Sequence, residues 1–220
     1  MNPVLSIKKF PEKRKPRYVL LENDFWKVLE LTSGQDRVML ITYLNLAARR
    51  SDVFHLKWSD VDFNSKRIRL WTQKREGGNQ ECDWLPMTTE LRRELLIWLE
   101  DRIGQSATDK EHVFLCLDKF SFCGEYYGKP FKHRQHLMTK LCKKVKVKPF
   151  GFHAIRHLTA SILYKKGYPE SIIQAILRHK NPNTTTRYLR TLELEDTRSA
   201  LEEGLKMPAK VIEFPKVENG

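Results

Sequence analysis

The amino-acid sequence predicts an α+β domain, mainly α-helical with one small antiparallel β-sheet. Three observations carry that expectation. Most segments repeat apolar residues at helical spacing. One stretch alternates instead, with Ile68, Leu70 and Thr72 set between Arg67, Arg69 and Trp71, and Gly77-Gly78 follows before a second extended run. Finally, 40% hydrophobic and 10% aromatic residues over 220 positions suffice for a packed core and exceed what a disordered chain carries.

In chain order, residues 1–17 read as an extended basic arm or interdomain linker: Lys8, Lys9, Lys13, Arg14, Lys15 and Arg17 face a single acid, Glu12, among three prolines. Residues 22–31 and 35–48 have helical periodicity and are separated by Ser33-Gly34; the second is apolar almost all round, which predicts a buried helix. Ser51 or Asp52 caps a short helix through Lys57. Residues 60–73 and the run ending at Leu85-Pro86 form an antiparallel hairpin. Thr88 or Thr89 then opens a helix with Leu91, Leu95, Trp98 and Leu99 on one face. A short strand near 113–115 and a glycine-containing loop over 121–129 follow.

Residues 129–148 hold eight basic side chains and no acid: Lys129, Lys132, Arg134, Lys140, Lys143, Lys144, Lys146 and Lys148. Phe131, Leu137, Leu141 and Val145 are interleaved at helical spacing, so one face packs while the other presents charge. Beyond the Pro149-Phe150-Gly151 break come helices near 153–166, 169–178 and 184–190, then an acidic one over 193–205. The domain is therefore expected over 18–205, with 206–220 as a C-terminal tail.

Forty Lys and Arg against 27 Asp and Glu leave a net charge of +13, which calls for an anionic partner, with nucleic acid the default. The longest apolar stretch, residues 38–48, is about half a membrane span and carries Thr42 and Asn45. Four cysteines without a CxxC pair read as reduced thiols, and a cytoplasmic protein without membrane contact, cofactor or metal is expected. A zinc set from Cys116, Cys123, His133 and His136 matches no common structural spacing.

Most chemical signal lies in Phe152-His153-Ala154-Ile155-Arg156-His157 and in the segment from Leu177-Arg178-His179 to Arg187-Tyr188. His153 and Arg156 share one face at a helix start, beside unpaired backbone N–H groups, which suits a phosphate. Singly, each candidate has an ordinary reading: Arg49 a surface arginine at a helix end, Lys74 an edge-strand charge, His179 a helix cap, Tyr188 an amphipathic rim residue.

In combination, the chain resembles the tyrosine recombinase (phage integrase) family over roughly residues 18–205. Leu46-Ala47-Ala48-Arg49-Arg50-Ser51-Asp52 looks like that family's first box, with Arg49 its arginine and Asp52 its acidic residue; Thr72-Gln73-Lys74 puts Lys74 on the hairpin, near Lys66 and Arg75; His153 and Arg156 match HxxR; and Tyr188 follows His179 by nine positions. The usual Gly-Leu before the first arginine is Ala47-Ala48, the usual glutamate is Asp52, and the usual glycine before the second histidine is Arg178.

The resemblance implies a DNA breaking-rejoining fold and a site-specific DNA recombinase acting through a 3′-phosphotyrosyl intermediate at Tyr188, with neither metal nor ATP. Arg49 and Arg156 would clamp the phosphate, Lys74 protonate the departing 5′ oxygen, His153 take the tyrosine proton and His179 donate to the phosphate, with Asp52 supporting. Lys129, Lys132, Arg134, Lys140, Lys143, Lys144 and Arg178 would meet double-stranded DNA. Assembly into a homotetramer on DNA through the C-terminal segment, with Leu192, Leu194, Leu201 and Leu205 as its apolar face, and a monomeric isolated domain are also implied, with docking of that face in cis on its own domain as the alternative. Type IB topoisomerase-like relaxation and a non-catalytic DNA-binding relative are the alternatives.

Overall fold

Helix α2 (Gly34–Leu46) organises the molecule because it is apolar on every side: Val38, Met39, Leu40, Ile41, Tyr43 and Leu46 are all buried. Its Thr42 hydroxyl is satisfied by the Val38 carbonyl at 2.7 Å, so the one polar side chain at the centre carries no unpaired group. The computed structural model describes residues 19–72, 81–103, 109–117 and 125–179. Lys74, Tyr188, the arm at 1–17, Cys123 and the segment from 180 onward lie outside the described residues.

Around α2 pack α1 (Glu22–Glu30), α3 (Arg50–Phe54), α4 (Thr89–Ile103), α5 (Gln135–Lys144), α6 (Phe152–Lys165) and α7 (Glu170–Leu177). Direct partners of α2 are α4, α6 and α3, while α7 rests on α6. Helix α4 starts where the sequence places it, with the Thr88 hydroxyl accepting from the Leu91 N–H at 3.2 Å. Tyr43 of α2 stacks on Phe152 of α6 at 4.6 Å between ring centroids. The main core runs from Leu20 to Leu158; a smaller one, Ala47, Ala160, Ile173 and Leu177, joins the end of α2 to α6 and α7.

The sheet has three antiparallel strands in the order β1 (Val61–Asp62), β2 (Arg67–Thr72), β3 (Glu81–Pro86). Alternation works as expected: Ile68 and Leu70 are buried on the inner face. On the outer face the Arg67 guanidinium lies 4.5 Å over the Trp84 ring and that of Arg69 lies 5.0 Å over Trp71. Buried Asp60 accepts from Arg69 Nε at 2.8 Å and from Trp71 Nε1 at 3.0 Å, which ties this face to the turn before β1. Mainly helical with one small antiparallel sheet, the architecture is the expected one.

Two local expectations are revised. Helix α3 ends at Phe54 rather than Lys57, because the chain turns to meet residues 111–113: Val113 N–H donates to the Leu56 carbonyl and Trp58 N–H to that of Glu111. The stretch 113–115 is not a strand but touches its neighbours through isolated bridges, Lys57 with His112 and Leu115 with Pro130. Its backbone is claimed by a side chain instead. The Gln35 amide donates to the Leu115 carbonyl at 2.9 Å and accepts from the Leu115 N–H at 2.8 Å, replacing a ladder rung. No helix among the described residues is long and apolar enough to cross a membrane.

Candidate active site

Three helix ends meet at one guanidinium. Arg156 lies in the second turn of α6, is 3% exposed, and donates through Nη1 to the Ala47 carbonyl at the end of α2 and through Nη2 to the Leu177 carbonyl at the end of α7. Helix C-termini carry unsatisfied carbonyls and partial negative charge, so a buried cation between two of them is well placed. Both helices stop in the left-handed region, at Ala47 (φ 43°) and Arg178 (φ 53°). These are the two positions where a glycine is usual in the resembling family, and left-handed backbone is what glycine adopts without steric cost.

Beyond those ends come the other candidates. Arg49, half-buried, follows Ala47 by two residues, and His179, also half-buried, follows Leu177 by two. The His179 backbone is pinned by Gln174, whose side-chain amide donates to the His179 carbonyl at 3.0 Å. His153 is exposed in the first turn of α6, edge-on to His157 at 4.5 Å. That turn has Gly151 as its N-cap and no side-chain cap bond. The described candidates Arg49, His153, Arg156 and His179 thus gather at one place.

The electrostatics bear most on His179. Burial, then the positive charges of Arg156, Arg49, His153 and Arg178, push the His179 pKa down from 6.5 to about 4. At neutral pH the ring is therefore uncharged and carries one donor and one acceptor nitrogen. Asp52, the acid closest in sequence to Arg49, sits within the cluster: its Oδ2 accepts from the Arg49 backbone N–H at 3.1 Å and pairs with Arg178 Nη2 at 2.5 Å. A half-open concentration of positive charge of this kind suits an anion.

Several residues sit differently from their expected roles. Asp52, expected to support Arg49 or His153, accepts from the Arg49 backbone N–H and also pairs with the Arg178 guanidinium. Arg178, expected at the DNA, has a buried side chain. Arg134, expected there too, pairs with Asp36 at 2.5 Å and lies 4.5 Å over the Phe131 ring, which fixes the start of α5 to α2. Lys129, Lys132, Lys140, Lys143 and Lys144 are exposed. Arg156 points its two Nη atoms at carbonyls, so it supplies charge and anchors the neighbouring chain ends. Motif spacing does not pick out Arg50. It lines a cleft with Met138, Phe150, Gly151, Phe152 and His153, and its only sequence signal is the doubled arginine at 49–50. Among the described residues no group of three His, Cys, Asp or Glu side chains is placed to hold a metal.

With this geometry in view, residues 20–195 match the model of the phage integrase family. The tyrosine recombinase XerC of Chlamydia muridarum is 27% identical over 159 residues, covering 72% of this chain and 47% of that protein, so the chain spans about half the length of this curated relative. Among solved structures, the XerA recombinase superposes with a TM-score of 0.66 at 20% identity over 86% of this chain and 66% of that one. The Tn1549 transposon integrase in complex with a circular intermediate DNA gives 0.64 at 18% identity, over 86% and 68%. The structural likenesses show a shared fold.

Proposed function

The chain belongs to the phage integrase family, and from that membership we propose that it is the catalytic domain of a tyrosine-type site-specific DNA recombinase, cleaving and rejoining double-stranded DNA. The observation that carries the reading is the placement of Arg49 and Arg156 beside His179 and His153, seen in the His179 pKa, which burial first and then the charges of Arg156 and Arg49 lower to about 4. A phosphodiester under attack gains a second negative charge, and fixed cations stabilise that increment more than they stabilise the resting substrate.

In the reaction proposed, the Tyr188 phenol oxygen bonds to phosphorus while the bond to the 5′ oxygen breaks. The phenol proton passes to His153, and Lys74 protonates the leaving 5′ oxygen. Rejoining reverses each transfer. Bond energy is kept in the 3′-phosphotyrosine, so resealing draws on no nucleotide. A phenol with an ordinary pKa near 10 is a poor nucleophile at neutral pH; the charges of Arg49 and Arg156 favour its phenolate. His179, neutral, is able to donate one hydrogen bond to a non-bridging oxygen. The domain is taken to span 18–205, and its exposed lysines, Lys129, Lys132, Lys140, Lys143 and Lys144, to track the flanking backbone. Assembly on DNA through residues 192–205 belongs to the same reading.

The test is a pool of nicked duplexes of randomised sequence, in which cleavage beside the nick releases a short strand and traps protein on DNA. The unmodified chain is expected to give a denaturation-resistant adduct, and Arg49→Ala to reduce its rate at least about 100-fold, the scale of losing one preorganised donor to a developing anion. Equal adduct from both proteins would refute the reading.

A further inference from the structure

Resting on the recombinase reading, we propose that Arg178 is a positioning residue for strand cleavage, which locks His179 to the turn that carries Arg49 by pairing with Asp52. Arg178 occupies left-handed backbone at φ 53°, where glycine is free of strain and an arginine is not. Its side chain is 2% exposed, as is that of Asp52, and the two meet across 126 residues at 2.5 Å. A buried ion pair is a poor source of stability, because desolvation offsets most of its attraction; its best-attested use is to fix one arrangement against near alternatives.

The arrangement fixed here is specific. Asp52 Oδ2 also accepts from the Arg49 N–H at 3.1 Å, so one carboxylate holds the backbone of Arg49 and the guanidinium next to His179. Arg156 makes a second connection close by, from the Ala47 carbonyl to the Leu177 carbonyl. Two cross-links therefore join the same two segments, 47–52 and 177–179. The His179 N–H and carbonyl both pair with Gln174, which holds 178–179 to the end of α7. The Arg178–Asp52 link ties that end to the turn carrying Arg49 and so sets the separation of Arg49 and His179 before substrate arrives, which is the preorganisation that phosphate chemistry needs.

The experiment measures single-turnover adduct formation on the nicked duplexes, DNA dissociation constant and thermal midpoint for the unmodified chain, Arg178→Gly, Arg178→Lys and the double variant Arg178→Gly with Asp52→Asn. Glycine accepts the left-handed backbone, and the double variant leaves no unpaired buried charge, so it reports on positioning even where the single variant unfolds. Expected are a cleavage rate about 10–100-fold lower in the glycine and double variants, with DNA affinity within about threefold, and partial recovery in Arg178→Lys. A rate within about threefold of the unmodified chain in the double variant overturns the proposal. So does a loss of rate that is matched by an equal loss of DNA affinity with no recovery in the lysine variant. An unmodified chain that forms no adduct overturns the recombinase reading and this role with it, whereas equal reaction by unmodified and variant chains removes this role alone.

Discussion

At His179 the physical setting is legible as a titration. Burial first, then the charges of Arg156, Arg49, His153 and Arg178, lower its pKa from 6.5 to about 4. The folded value lies below the ordinary one, so the unfolded chain takes up the proton first on acidification. The stability this site supplies is complete above about pH 6.5 and is lost as the pH falls toward 4. An NMR titration of the ring protons should give a midpoint near 4, and His179→Gln should lose less stability than the unmodified chain over that window; a midpoint near 6.5 would contradict the crowding of cations. Asp52 makes a second residue-scale prediction. Asp52→Ala strands the buried Arg178 guanidinium and should cost about 3–5 kcal/mol in urea unfolding, where a change under about 1 kcal/mol would show the pair to be incidental. Arg49, His153, Arg156 and His179 stand out in the sequence because side-chain type and spacing are written there. Arg156's partners are backbone carbonyls at Ala47 and Leu177, which no residue pattern encodes, and Arg178 finds its acid 126 positions away.

Elements were readable where one face is buried and the other is not. The β2–β3 hairpin follows directly from period-two alternation, with Ile68 and Leu70 inside and Trp71 and Trp84 outside. Residues 113–115 misled because an apolar run has the composition of a strand, whereas here its backbone groups pair with Gln35 and single residues of other segments. Helix α3 is short for a related reason: the chain after Phe54 is recruited by residues 111–113. Helix α5 carries the element-scale test. Its Lys140, Lys143 and Lys144 are exposed, while Arg134 at its start is occupied with Asp36. If that surface meets DNA, replacing the three lysines with alanine should lower the slope of log K against log salt by about 2–3, at about 0.9 per phosphate neutralised, without lowering the thermal midpoint. Arg134→Ala should do the opposite, lowering the midpoint through the lost bridge to α2. An unchanged salt slope in the triple variant would remove α5 from the interface.

Across the whole molecule, the net charge of +13 divides into populations with different tasks. Arg49 and Arg156 lie beside the uncharged His179, the lysines from 129 to 144 lie on open surface, and Arg134 and Arg178 are taken up by internal pairs. Composition alone shows only the sum; the division depends on which acids each cation meets after folding. The proposed recombinase reading makes a single chemical claim, that Tyr188 becomes joined to DNA. The most direct measurement is mass spectrometry of the trapped protein after nuclease and protease digestion. The account predicts a nucleotide 3′-phosphate on the peptide that contains Tyr188, and no adduct from Tyr188→Phe. A nucleotide on any other residue, or an adduct that survives that substitution, would contradict it.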